Sequence, residues 1–473
     1  TGNYTGTGAL SSTNGPISIH SSGTTALNAD ITSGSGGILV KSTGRISTSA
    51  GTSADSRLLG TAGGPLTLWT SSQTAGGVDL GNYSELNTTQ SSALGANITI
   101  GGGSAESGNP LMPSGNASSS STDGLVLGTS DVENAVRILS GTGDISVKAE
   151  STHASTSSSG IEIRAGVKVT GATVDIYGKA AGALNTNNTA AGVFNYFDSG
   201  TARTEIQATK TFSAHTQALK IEGVLTTGTY GVMLGNTGAG SHLSQQTRIS
   251  TTGDNADILI SGDVTSSDNQ NVFMAGTLVS TKNGDTVVDG KGGQALLSRN
   301  NSSRAFEYAR VSGGTGGDLK VVASTITDES SGSLKIASDG KLSLVPPAGQ
   351  NFSADLTFPL TGSTISVGGL VIGSAENRRA ITLGSAVTSS GDVQVIGGSQ
   401  VSNFAITTSN SASIVFEPTT TFSKGTNLLN SAGSILIGTA SSPASSVTLS
   451  TATLTAAADV KIYSTGTITQ GAA

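Results

Sequence analysis

A phrase of four or five residues keeps returning along this chain: a glycine, then apolar, mostly polar and apolar residues in turn. It reads GPISI at 15–19, GPLTL at 64–68, GDISV at 143–147 and GIEI at 160–163. Further on it reads GDLKV at 317–321, GSLKI at 332–336, GKLSL at 340–344, GGLVI at 368–372, GDVQV at 391–395 and GSILI at 433–437. Alternation at period two marks a strand with one buried face. Strands this short cannot hold an ordinary sheet together. Their recurrence therefore calls for a repeat architecture, in which each unit buries its apolar face against its neighbours.

Spacing narrows the choice. Ile161, Val167 and Val174 begin runs six and seven residues apart, and Val447, Leu454, Val460 and Ile468 do much the same. Three such strands with tight bends close a coil of about 20 residues. The expected fold is all-β: a parallel β-helix, or β-solenoid, of about 20 coils stacked into an elongated rod on the order of 100 Å long. Each strand then pairs with its equivalent one coil above and below, so strand length matters little and edges survive only at the two ends. Around Leu370, Ile381 and Val393 the intervals stretch to eleven and twelve. There one side of the coil is looped out or carries no strong apolar pair. No stretch places apolar residues at helical spacing over three turns.

Composition agrees. Charged residues make up 12% of the 473 positions and aromatics 4%, about half the charge of an ordinary globular enzyme, while glycine fills 66. Yet 35% of residues are apolar and fall in alternating runs, which separates the chain from disordered sequences. With a net charge of −7 there is no basic footprint for nucleic acid. Absence of cysteine excludes disulfides, thiolate metal sites and thiol nucleophiles. No apolar run is long enough to span a membrane as a helix. We expect one β-solenoid over 1–473, a segment or processed body of a longer chain. Loop insertions are expected near 101–124, 181–207 and 298–317, with a local kink at Pro346-Pro347, where proline cannot donate to a neighbouring strand.

Little in the sequence speaks for chemistry. His20, His153, His215 and His242 stand isolated among small residues, without the spacing of a metal site. GGTGGDLKV at 313–321, with Asp318, is the nearest approach to a calcium-binding turn, but it stands alone rather than in tandem. No GxSxG elbow appears. Outward acids such as Glu162 and Asp175 read as solubilising residues. Outward threonines at 67, 99, 382 and 448 recur at irregular intervals, which argues against a flat ice-binding face. No catalytic residue, metal or cofactor is expected, and the chain is not read as an enzyme. Weak binding candidates are Phe194, Tyr196, Phe197, Arg304, Phe306 and Tyr308, because exposed aromatics and arginine anchor contacts.

STGRISTSAG at 42–51, SGTGDISVKA at 140–149 and YGVMLGNTGAGSHLSQQTRISTTGDNADILISGDV at 230–264 resemble the repeats of large bacterial surface exoproteins. The likeness is to filamentous-haemagglutinin-like adhesins of the two-partner secretion class. That resemblance implies a right-handed parallel β-helix, secretion to the cell surface through an outer-membrane partner, and a role in attachment, aggregation or biofilm. The Asn-Pro-Asn motifs of that family's secretion domain are absent. The expected function is structural and adhesive: the shaft of a surface adhesin or a subunit of an extracellular fibre. Its expected partners are copies of itself, head to tail, or neighbouring cells and glycans. The alternative is a polysaccharide-active enzyme or carbohydrate-binding module on the same scaffold.

Overall fold

Short alternating strands do stack in register, and among the described residues the pairings between named strands are parallel. The computed structural model describes all residues except 1, 50–55, 72–76, 91–93, 103–113, 116–122, 130–131, 154–157, 183–189, 197–201, 236–246, 266–269, 275, 299–305, 312, 329–333, 359–362, 426–427 and 472–473; for 114–115, 196, 298 and 328 it describes the backbone alone. Among the described residues there is no helix. The chain winds as a right-handed parallel β-helix and divides into two compact units, Thr1–Val272 and Phe273–Ala473.

In the first unit each coil has three faces. The first face runs from Ile17–Ser21 through Ile38–Ser42, Leu66–Thr70, Ile98–Gly102, Ile145–Ser151, Val174–Ala180 and Thr216–Leu225 to Ala256–Val264. The second includes Leu125–Leu127, Ser159–Arg164, Ala191–Tyr196 and Tyr230–Met233; the third includes Ser84–Asn87, Val136–Leu139, Lys168–Gly171 and Glu205–Ala208. Val40, Leu68, Ile100, Val147, Ile176, Ile221 and Ile260 share one register position on the first face, and none is more than 1% exposed. Each such side chain contributes about 1.5–3 kcal/mol on burial. A column of this kind, not any single strand, holds the fold together.

The second unit repeats the scheme. Val288, Val321, Leu344, Ile372, Val395, Phe416 and Ile437 form its first-face column. The second-face ladder of this unit breaks after Thr325–Asp328 and resumes as a separate six-stranded sheet from Leu356–Thr357 to Ile468–Gln470. Pro346-Pro347 stand between the two pieces, immediately after the strand Lys341–Val345.

The bare coil is 21 residues, as between Val393, Ile414 and Ile435. Longer coils carry extra chain between faces: Ile98 and Ile145 are register neighbours 47 residues apart. Parts of the expected loops are strands: Ala191–Tyr196 lies within 181–207, and Glu307–Arg310 within 298–317. Most of 101–124 lies outside the described residues. Between Leu370 and Val393 the third face is present as Val387–Ser389, so the coil is not looped out there. It has one inward aliphatic, Val387, and an inward Ser389 whose Oγ donates to the Gly391 carbonyl at 2.7 Å. One aliphatic is too weak a pattern to read.

All but two of the recurring phrases begin first-face strands; GIEI lies on the second face and GSLKI on the third. The polar residue after the glycine reaches along the stack. Asp285 Oδ1 accepts from the Asp318 amide at 2.9 Å, and Asp318 Oδ1 from the Lys341 amide at 2.7 Å. Asp392 Oδ1 likewise accepts from the Ser413 amide at 2.8 Å. Asp318, in the calcium-like phrase, is thus a turn cap for the next coil. Outward charges pair between coils: Lys179 with Glu150 at 2.7 Å, Lys148 with Asp175 at 3.3 Å and Lys335 with Glu307 at 3.4 Å. Such partly exposed pairs are worth up to about 1 kcal/mol each, and matter more for register than for stability.

Candidate functional site

A recess of the first unit lies on its third face. Ser84–Asn87 and Val136–Leu139 are adjacent strands on consecutive coils, with Ser84 opposite Val136 and Glu85 opposite Arg137. Inward Ser84 is anchored by its hydroxyl, 2.6 Å from the Gly81 carbonyl and 2.7 Å from Thr48 Oγ1. Alternation turns Glu85 and Arg137 outward. Glu85 is held on both oxygens: Oε1 accepts from Asn87 Nδ2 and Oε2 from Arg137 Nη1, each at 2.7 Å.

The corners leading into these strands are unusual. Tyr83 has a φ of 59° and Asn134 a φ of 57°, both in the left-handed region. On the next coil the corresponding corner is made by Gly166, at 86°. A bulky aromatic is rare there, whereas glycine enters it freely. Together Ser56, Tyr83, Ser84, Glu85, Glu133, Asn134 and Arg137 line a cavity of about 430 Å³. Among the described residues, the Tyr83 hydroxyl, the Glu133 carboxylate and the Asn134 side-chain amide have no partner within the protein. The recess therefore offers an aromatic ring beside unengaged donors and acceptors.

A second cluster lies on the second face. Asp123 precedes Leu125–Leu127 and stands one coil before Ser159, whose amide donates to its Oδ1 at 2.6 Å. Asp123 is buried near the carboxyl group of Glu162. Burial first, then the neighbouring Glu162 charge, holds its carboxyl well above the usual carboxylate range. Arg164 opposes this from the same strand, with Nε 2.5 Å from Glu162 Oε1. Glu162, read from sequence as a solubilising acid, has a side chain only 12% exposed.

The residues singled out from sequence are placed as follows. Phe194 is buried opposite Glu162, Phe306 is fully enclosed, and Tyr308 is 1% exposed. The Tyr308 hydroxyl donates to the Gly317 carbonyl at 3.2 Å, and burial raises its pKa. These three side chains pack within the fold, and the structure offers no partner access to them. Tyr196 ends its strand opposite Arg164, while Phe197 and Arg304 lie outside the described residues. Of the described candidates, Phe194 and Tyr196 belong to the first unit and Phe306 and Tyr308 to the second. His215 Nδ1 stands 2.9 Å from Asp257 Oδ1, His20 is exposed, His153 half-buried, and His242 lies outside the described residues. Sequence reasoning passed over Tyr83, Glu133 and Asn134. Their signal is slight: an aromatic or an asparagine at a corner where glycine would be easier.

Compared with protein-family models, with curated proteins and with solved structures, the chain matches none.

Proposed function

We propose that this chain is a structural and adhesive part of a bacterial surface or extracellular protein, presenting recognition from the corners and outer faces of a β-solenoid. One observation carries the reading. The fold is maintained by inward columns and backbone ladders that need no functional site, which leaves outward positions free to vary. Outward positions hold small hydroxyl residues and paired charges, as in the register neighbours Thr67 and Thr99 or Glu150 and Lys179. The sequence resemblance to two-partner adhesins supports the same role and supplies an export route through an outer-membrane partner. Beads coated with the purified chain test it: they should attach saturably to cells or glycan surfaces, and free chain should compete. Absence of attachment to every surface tried would contradict the reading.

A polysaccharide-active enzyme is the second reading, and Asp123 beside Glu162 is the observation that favours it, since a carboxyl whose pKa is raised by burial is what a general acid requires. New reducing ends from a polysaccharide panel, lost in Asp123→Asn, would establish the enzyme.

A further inference from the structure

We propose that the third-face recess between Ser84–Asn87 and Val136–Leu139 binds a neutral saccharide unit, with Tyr83 supplying the stacking face and Glu133, Asn134 and Arg137 the polar contacts. The volume, about 430 Å³, lies within the usual range for small-ligand sites and suits one or two pyranose rings. The lining matches the chemistry of a sugar. Vicinal hydroxyls each donate and accept, and planar groups engage them in pairs. Glu133 contributes acceptors, Asn134 one acceptor and two donors, and Arg137 the N–H groups left after Nη1 is committed to Glu85. An aromatic ring accepts the C–H face of a pyranose, which is apolar.

Charge selects among sugars. Two carboxylates, Glu85 and Glu133, face one guanidinium, so the recess carries an excess of negative charge. Uronic, sialic and sulfated sugars are disfavoured by repulsion, and neutral ones are not. The backbone adds an independent observation. A tyrosine occupies a left-handed corner whose counterpart two coils on is Gly166, so the fold tolerates strain at the position that places a ring in the recess.

The inference rests on the adhesive reading and gives it a ligand class. Its test is titration of the intact chain with the methyl glycosides of glucose, galactose, mannose, N-acetylglucosamine and glucuronic acid, followed by saturation-transfer NMR and calorimetry. At least one neutral glycoside should bind saturably with a Kd of about 1 mM, while the glucuronide binds at least tenfold more weakly. Asn134→Gly, which keeps the backbone conformation, and Glu133→Gln, at an exposed position, should each weaken binding about tenfold with Tm unchanged. Tyr83→Gly should abolish binding while Tm holds or rises, because the corner is relieved of strain. Absence of saturation by any neutral glycoside, equal binding of the glucuronide, or full affinity in the Glu133 and Asn134 variants would overturn the assignment. Beads that attach while no glycoside binds would defeat this inference alone. Glycoside binding without bead attachment would defeat the adhesive reading and leave the recess standing.

Discussion

Lys424 carries an ammonium into the inside of a coil of the second unit. It ends the strand Thr421–Lys424, two residues after inward Phe422, and is fully buried. Its Nζ donates to the Ser402 carbonyl at 3.1 Å and the Phe404 carbonyl at 3.0 Å. Neither is a counter-ion, and burial pulls its pKa from 10.5 down to about 8. Between those values the unfolded chain holds a proton that the folded chain has released, so stability should rise as pH increases from 8 to 10.5. Below pH 8 both states are protonated and the penalty is constant. Urea midpoints across that range should show the rise, and Lys424→Met should remove it. Asp123 works in the opposite sense. Above the ordinary carboxyl range the folded chain keeps a proton that the unfolded chain has lost, so stability should fall as pH rises through that window. Asp123→Asn keeps an acceptor for the Ser159 amide and should flatten the fall of the urea midpoints as pH rises above 4.

At the scale of the strand and its corner, stacking explains the recurring phrase. A Cβ added at Gly340 would sit 2.1 Å from the Gly317 carbonyl oxygen, and one at Gly391 would sit 2.0 Å from that of Gly368. Corners of successive coils lie backbone on backbone, and only glycine fits. Gly340→Ala should cost about 3 kcal/mol, read as a lower urea midpoint with unchanged slope. Hydroxyls satisfy the same corners from inside: Ser431 Oγ lies 2.9 Å from the Ala412 carbonyl and 3.0 Å from that of Ser434. Ser431→Ala should cost about 1 kcal/mol by the same measurement. The first face was legible because its strands pair two aliphatics behind a glycine, as Ile145 and Val147 do behind Gly143. Third-face strands such as Val387–Ser389 show one aliphatic and a serine, a pattern lost among so many serines. Phe306 and Tyr308 read as surface anchors because exposed aromatics beside arginine anchor contacts, yet both rings fill the inside of a narrow coil, and alternation alone does not tell an inward ring from an outward one.

Across the chain, register is what sequence could not supply. Glu85 meets Arg137, 52 residues later, because the intervening coil is enlarged by segments that carry no periodic signal. Thr382 and Thr448 look irregularly placed in sequence. In the second unit they lie in one outward column with Thr357, Val401, Ser423 and Thr469. On the first face the number of residues per coil varies from 21 to 47 while the inner column of each unit stays unbroken, so insertions are absorbed at corners and not in that ladder. The candidate recess is a product of that register: Tyr83 and Asn134 are brought together only once their coils are aligned. Because the chain has no cysteine, the alignment can be probed by adding two. Ser423 and Thr448 are outward register partners, and Thr469 stands one coil beyond Thr448. Parallel neighbours lie about 4.8 Å apart, within reach of a disulfide, whereas residues two coils apart lie near 10 Å, beyond it. Oxidation of Ser423→Cys/Thr448→Cys should give complete intramolecular cross-linking, and Ser423→Cys/Thr469→Cys none; equal cross-linking of both pairs, or of neither, would contradict the stacked register.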